Sequence, residues 1–132
     1  VIHTHSPYAT AFAVARKSID CWIEALAMFG LADGVPVAAY GPRGSEQAVA
    51  NIREALGSGG SAVLLANHGV LVFHRTPEQA VLVGGIVEEA ARAALTAMAI
   101  GGPVEIEPEM RAAALQRAVA FGVTSQAGTH PH

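Results

Sequence analysis

The sequence predicts an α/β fold built on a mixed sheet. Three observations carry that expectation. Short β-type runs recur along the chain, at Val1–His5, Val35–Tyr40, Ser61–Ala66 and Val70–His74. Helix-start signatures interleave with them, at Ser6-Pro7, Ser45 and Thr76-Pro77. Of 132 residues, 52% are hydrophobic and 14% charged, so the chain is long and apolar enough to bury roughly two-thirds of its unfolded surface. Strands alternating with helices define the α/β class.

The elements follow in order. In Val1 to His5, residues 1, 3 and 5 alternate with Ile2 and Thr4, as on a strand. Ser6-Pro7 then reads as an N-cap with proline at the first helical position, and an Ala-rich helix continues to Lys17. Ile19 to Met28 fits strand and helix equally. Leu31 to Gly34 is a turn, and Val35 to Tyr40 a strand whose Pro36 argues for a sheet edge or a strand start. Ser45 caps a helix from Glu46 to Leu56, with Val49, Ile52, Arg53 and Leu56 at helical spacing and Gly57 as its stop. Ser61–Ala66 and Val70–His74 flank the turn Asn67-His68-Gly69 and form a hairpin-like pair. Thr76-Pro77-Glu78-Gln79 is the clearest helix start, with threonine as N-cap and glutamine at the capping-box position. That helix runs to about Ile100, lined on one face by Val83, Val87, Ala90, Ala91, Ala94, Leu95 and Met98, and Gly101-Gly102-Pro103 ends it. A last helix covers Pro108 to Phe121. One domain over residues 1–123 and a loose tail over residues 124–132 are expected, the tail having few core-forming residues.

Composition excludes several classes. The net charge is -3 with signs mixed along the chain, and no basic run offers a nucleic-acid footprint. The longest stretch free of Asp, Glu, Lys and Arg, Ala55 to His74, is broken by glycines and by Asn67-His68, so it does not read as a membrane span. The single cysteine, Cys21, has no internal disulfide partner, and the start carries no signal-peptide pattern, so a cytoplasmic protein is expected. Cys21-Trp22 reads as core, and His74 as an exposed strand end.

The chemistry lies in the histidines. On a strand, His3 and His5 share one face, where two imidazoles can chelate one ion. The spacing is equally compatible with two surface histidines at a frayed terminus. His68 follows an apolar strand at a turn that Gly69 permits, a position from which a polar side chain faces a site. Three nitrogen ligands leave one position open, as in catalytic zinc sites. His130 and His132 form a second His-x-His, expected to make a poor site because the tail is expected to be loose.

The segment His3-Thr4-His5-Ser6-Pro7-Tyr8-Ala9-Thr10-Ala11 resembles the metal-binding strand and following helix of the class II aldolase/adducin family. Leu64-Leu65-Ala66-Asn67-His68-Gly69-Val70 resembles its second metal motif. Thr76 to Ala80 and the helix through Glu88-Glu89-Ala90-Ala91 are similar to its next element, and Pro36–Tyr40 with Gly44-Ser45 fits the segment between. The resemblance extends to about Val123.

The resemblance implies a three-layer α/β/α fold with a central mixed, mainly antiparallel sheet whose N-terminal part is missing here. It implies His3, His5 and His68 as ligands of Zn²⁺ or another divalent metal. It also implies a lyase that cleaves a ketose phosphate such as L-fuculose 1-phosphate to dihydroxyacetone phosphate and an aldehyde, through a metal-stabilised enediolate. A sugar-phosphate 4-epimerase, dehydratase or decarboxylase, or a metal-free adducin-like interaction module, is the alternative on this scaffold. The implied partners are a sugar phosphate and further copies of the chain in a homotetramer, with no nucleic acid and no membrane. The family's acidic acid–base residue lies upstream of the His-x-His strand, so the catalytic residue is unknown here and a chain of this extent alone is expected to be inactive. Where the family's proton-donating tyrosines fall, a loose alignment puts Glu24 and Phe121. Glu88 and Glu89 are expected to be solvated or structural, Tyr8 and Tyr40 to pack, and Arg43 and Ser45 to lie in a surface loop.

Overall fold

A computed structural model describes residues 1–123. The tail from residue 124, with His130 and His132, lies outside the described residues. The elements run β1 (Ile2–Thr4), α1 (Pro7–Ala15), α2 (Glu24–Met28), β2 (Val37–Ala38), α3 (Glu46–Leu56), β3 (Ala62–Leu65), β4 (Gly69–Val72), α4 (Pro77–Ala97) and α5 (Pro108–Ala120), with a 3₁₀ turn at Met98–Ile100.

The sheet order is β1-β4-β3-β2. β1 pairs antiparallel with β4, β3 antiparallel with β4, and β2 parallel with β3. The sheet is therefore mixed and mainly antiparallel, as expected. Register assigns its faces. Ile2, Val72 and Ala62 form one row and Thr4, Val70 and Leu64 another, both on the face that packs against Ala9, Phe12, Ala13, Val83 and Val87 of α1 and α4. The row between them, His3–Leu71–Val63, lies on the opposite face because side chains alternate. α3 packs along β2 and β3.

Small residues set how closely the helices approach. Ala9 and Ala13 of α1 and Ala80, Ala90 and Ala91 of α4 are fully buried. On α1 the two alanines are four apart and so share a face. Cys21 is fully buried in the same core, as expected; burial pushes its thiol pKa up, which keeps it inert.

Several expectations need correction. Only Val37–Ala38 of the Val35–Tyr40 run joins the sheet. Pro36 has no N–H to give, so its carbonyl opens the parallel ladder by accepting from Leu64 N–H at 2.8 Å, while Val35 pairs back onto Ile19. Tyr40 beyond it is 60% exposed and does not pack, and Tyr8 is 39% exposed with Arg92 stacked over its ring. On α4, burial ends at Ala94, and Leu95 and Met98 continue the apolar stripe into solvent. On α3 the expected apolar spacing does not set the buried face. Its one buried residue is Asn51, whose amide donates to Ala39 O at 3.0 Å and Tyr40 O at 3.2 Å. His74 is half-buried rather than exposed, and its Nδ1 accepts from Arg75 N–H.

Candidate metal centre

β1 delivers His3 and, one residue past its end, His5; the turn between β3 and β4 delivers His68. Antiparallel pairing of β1 with β4 brings the two segments together, with Thr4 opposite Val70. The three imidazoles stand in a nearly equilateral triangle, with ring centroids 4.9, 4.8 and 5.0 Å apart. One ring nitrogen from each lies within 4.8 Å of the others. His3 and His5 are exposed and His68 is half-buried.

Hydrogen bonding fixes how His3 is used. Its Nδ1 stands 2.9 Å from the Val70 carbonyl, which can only accept, so Nδ1 carries the proton. In the neutral ring Nε2 then keeps the lone pair, and it stands 3.1 Å from His5 Nε2. Two nitrogens bound to one tetrahedral zinc at about 2.0–2.1 Å sit about 3.3 Å apart. A backbone carbonyl orienting one ligand ring is also the usual support of such sites. The donor set, three imidazoles, suits zinc and other divalent transition ions. The residues present thus fit a metal ion.

The surroundings of His68 favour its neutral form. Partial desolvation comes first, then the facing imidazoles of His3 and His5, then the Arg43 guanidinium, and together they push its pKa below the usual imidazole value. The loop that carries Arg43 is exposed, as expected, yet its charge is felt at His68.

Gly69 makes the assembly possible. A Cβ on it would run into the Thr4 carbonyl and come within 2.9 Å of His5 Cδ2 and 3.4 Å of His3 Cε1. The glycine therefore does more than permit a turn: it lets the His68 segment lie against both other histidines.

Glu88 has a role that the sequence hides. Its Oε1 accepts from the N–H groups of Tyr8 at 2.7 Å and Ala9 at 3.1 Å, capping α1. The expected cap, Ser6, makes no such bond; its hydroxyl pairs with Thr4 Oγ1 at 2.9 Å. The available signal is position: Glu88 lies four residues after Gly84 and three before Ala91, on the border of the buried face, whereas Glu89 faces solvent. Glu24 is exposed at the start of α2, and Phe121 is 78% exposed.

A mixed α/β sheet thus converges three histidines, from a strand end and a neighbouring turn, in an arrangement that could hold a metal ion. The sequence profile of the Class II Aldolase and Adducin N-terminal domain matches residues 1–95. The chain belongs to this family. It is 28% identical to the 5-methylthioribulose-1-phosphate/5-deoxyribulose-1-phosphate aldolase of Rhodospirillum rubrum, over 99% of this chain and 58% of that protein. It is also 28% identical to the L-fuculose phosphate aldolase of Escherichia coli, over 93% of this chain and 57% of that protein. Among solved structures, an L-fuculose 1-phosphate aldolase superposes with a TM-score of 0.80 at 30% identity, covering 87% of this chain and 53% of the other. The chain spans a little over half the length of the curated relatives it matches.

Proposed function

We propose that this chain carries the metal-holding part of an aldolase active site, in which His3, His5 and His68 ligate one divalent ion, preferentially zinc. The protein would cleave a ketose phosphate, such as L-fuculose 1-phosphate or a 5-deoxyribulose 1-phosphate, to dihydroxyacetone phosphate and an aldehyde. The observation that carries this is the convergence of one nitrogen from each histidine within 4.8 Å. Membership of a family whose matched relatives are sugar-phosphate aldolases supports the reaction class.

Each residue has a definable part. His3 holds its proton on Nδ1 against Val70 O and offers Nε2. His5 meets it at 3.1 Å, and His68, whose surroundings favour the neutral form, closes the triangle. When bound, the ion would act as a Lewis acid toward a substrate oxygen. Proton transfer is not assigned to Glu88, which caps α1, nor to the exposed Glu24 and Glu89. A cytoplasmic homotetramer belongs to the same proposal and rests on the family; among the described residues no helix is long and apolar enough to cross a membrane.

Metal analysis of the dialysed full-length protein tests the site. The expected result is about one equivalent of zinc per chain, lost in His68→Ala and His3→Ala. Wild-type protein without metal, or variants that keep it, would overturn the proposal. A panel of ketose phosphates tests the reaction. Release of dihydroxyacetone phosphate supports aldol cleavage, and recovery of an epimer with no cleavage replaces it by epimerisation.

A further inference from the structure

We infer that α1 is a strut that sets the spacing of the three histidines, with Glu88 and Arg16 as the positioning residues at its two ends. The inference rests on the metal site proposed above.

α1 is tied to both halves of that site. Its first residue, Pro7, follows His5 by two positions. At this end the helix's own serine is engaged elsewhere, and Glu88 of α4 holds the N–H groups of Tyr8 and Ala9. A carboxylate at this position satisfies two of the donors that every helix start leaves open, and it meets the positive end of the helix dipole. The other oxygen, Oε2, is buried without a hydrogen-bond partner among the described residues. Glu88 has thus given up solvent to reach the cap, and an unpaired buried oxygen is unfavourable unless the bonds made by its neighbour compensate.

The far end of α1 holds the residue before His68. Asn67 N–H donates to Ala13 O at 3.0 Å, and Arg16 Nε donates to Asn67 Oδ1 at 2.9 Å. Arg16 and Asn67 have φ of 55° and 60°, and among the described residues they are the non-glycine residues with positive φ. Asparagine tolerates that conformation; arginine does so only at an energetic penalty. The two left-handed residues are bonded to each other, at the junction between the helix and the His68 turn. Strain placed there is expected where the surroundings over-determine a functional geometry. Between its ends α1 is seated rigidly, with Ala9 and Ala13 fully buried and Phe12 6% exposed. A shift of either end would therefore move His5 or His68 relative to the other.

The test uses Co²⁺ and Zn²⁺ affinity and the Co²⁺ absorption spectrum of the full-length protein, alongside the melting temperature of the metal-free form. Glu88→Ala is expected to weaken metal binding about 10-fold, the lower end of the effect of losing a supporting group. Glu88→Gln keeps an accepting oxygen and should remain within about 3-fold of wild type. Arg16→Gly is the discriminating variant. Glycine relieves the left-handed backbone, so the metal-free protein should melt no lower, yet binding should weaken about 10-fold with an altered Co²⁺ spectrum. Leu26→Ala, a core truncation in α2, should lower the melting temperature and leave affinity within about 2-fold. Unchanged affinity in Glu88→Ala and Arg16→Gly, with wild type binding and His68→Ala not, would overturn the strut alone. An equal loss in Leu26→Ala would also overturn it, by showing that affinity merely follows stability. A wild-type protein that binds neither ion would overturn the strut together with the metal site.

Discussion

α1 and α4 begin with the same two-residue grammar, a hydroxyl residue followed by proline: Ser6-Pro7 and Thr76-Pro77. They end up capped in different ways. Thr76 Oγ1 accepts from Gln79 N–H at 3.2 Å, the local bond the sequence predicts. Ser6 makes no cap, and the start of α1 is closed by a carboxylate from α4 instead. The difference lies in the surroundings. Thr76 opens its helix eight residues beyond His68, and among the described residues its hydroxyl is engaged only by Gln79 N–H. Ser6 adjoins His5, and its hydroxyl is taken by Thr4 within the tight passage between β1 and α1. Local rules govern the start of α4, and tertiary packing around the triad governs the start of α1.

Substitutions can break or sharpen this contrast. The largest effect is expected at Gly69, where any side chain would collide with the Thr4 backbone and with His5. Gly69→Ala should destabilise the protein by about 2–3 kcal/mol and abolish stoichiometric metal uptake, read by denaturant unfolding and metal analysis. Wild-type stability and metal content in the Gly69→Ala variant would show that β1 and the His68 turn are not closely apposed. Thr76→Ala should cost about 1 kcal/mol, because it removes a working cap. Ser6→Ala, the matching loss of a hydroxyl, removes no cap but only the bond to Thr4, and should cost less, about 0.5 kcal/mol. Equal losses at the two positions in parallel denaturation curves would erase the distinction between the two helix starts.

The smallest effect concerns pH. The folded-state pKa of His68 lies below its unfolded value of about 6.5. Over the interval between the two values, the unfolded chain binds the proton and the folded chain does not. This contribution to stability is thus intact above about pH 6.5 and declines as the pH falls toward the folded value. Metal-free wild type should consequently lose slightly more melting temperature between pH 7.5 and 5 than His68→Gln does. A variant that loses as much as wild type would show that His68 does not contribute to the pH dependence.

The sequence revealed most where structure is decided within a few residues. The caps at Ser45 and Thr76, the stops at Gly57 and Gly101, and the hairpin of β3 and β4 all lie where local chemistry put them. His3, His5 and His68 were identifiable because strand alternation and a turn place them without knowledge of partners, and the fold does bring them together. What supports them was hidden, since each support joins segments distant in the chain. Glu88 bonds to Tyr8 and Ala9, Arg16 to Asn67, and His3 to the carbonyl of Val70. Asn51 was missed for a related reason. On a helix, apolar spacing is the usual guide to the buried face, and here an amide took that face by satisfying two carbonyls at the end of β2.

That amide has a consequence for the way the molecule breathes. α4 is held by seven buried side chains, whereas α3 buries Asn51 alone and otherwise lies along β2 and β3 at the surface. A helix with so little buried contact belongs to the low end of the ladder of local openings, and its amides should exchange with solvent well before those of α4. The preceding loop, with Arg43, rides on that helix through the Ser45 cap. The positive charge felt at His68 is thus mounted on a helix that is easily released, while the histidines themselves are mounted on the sheet.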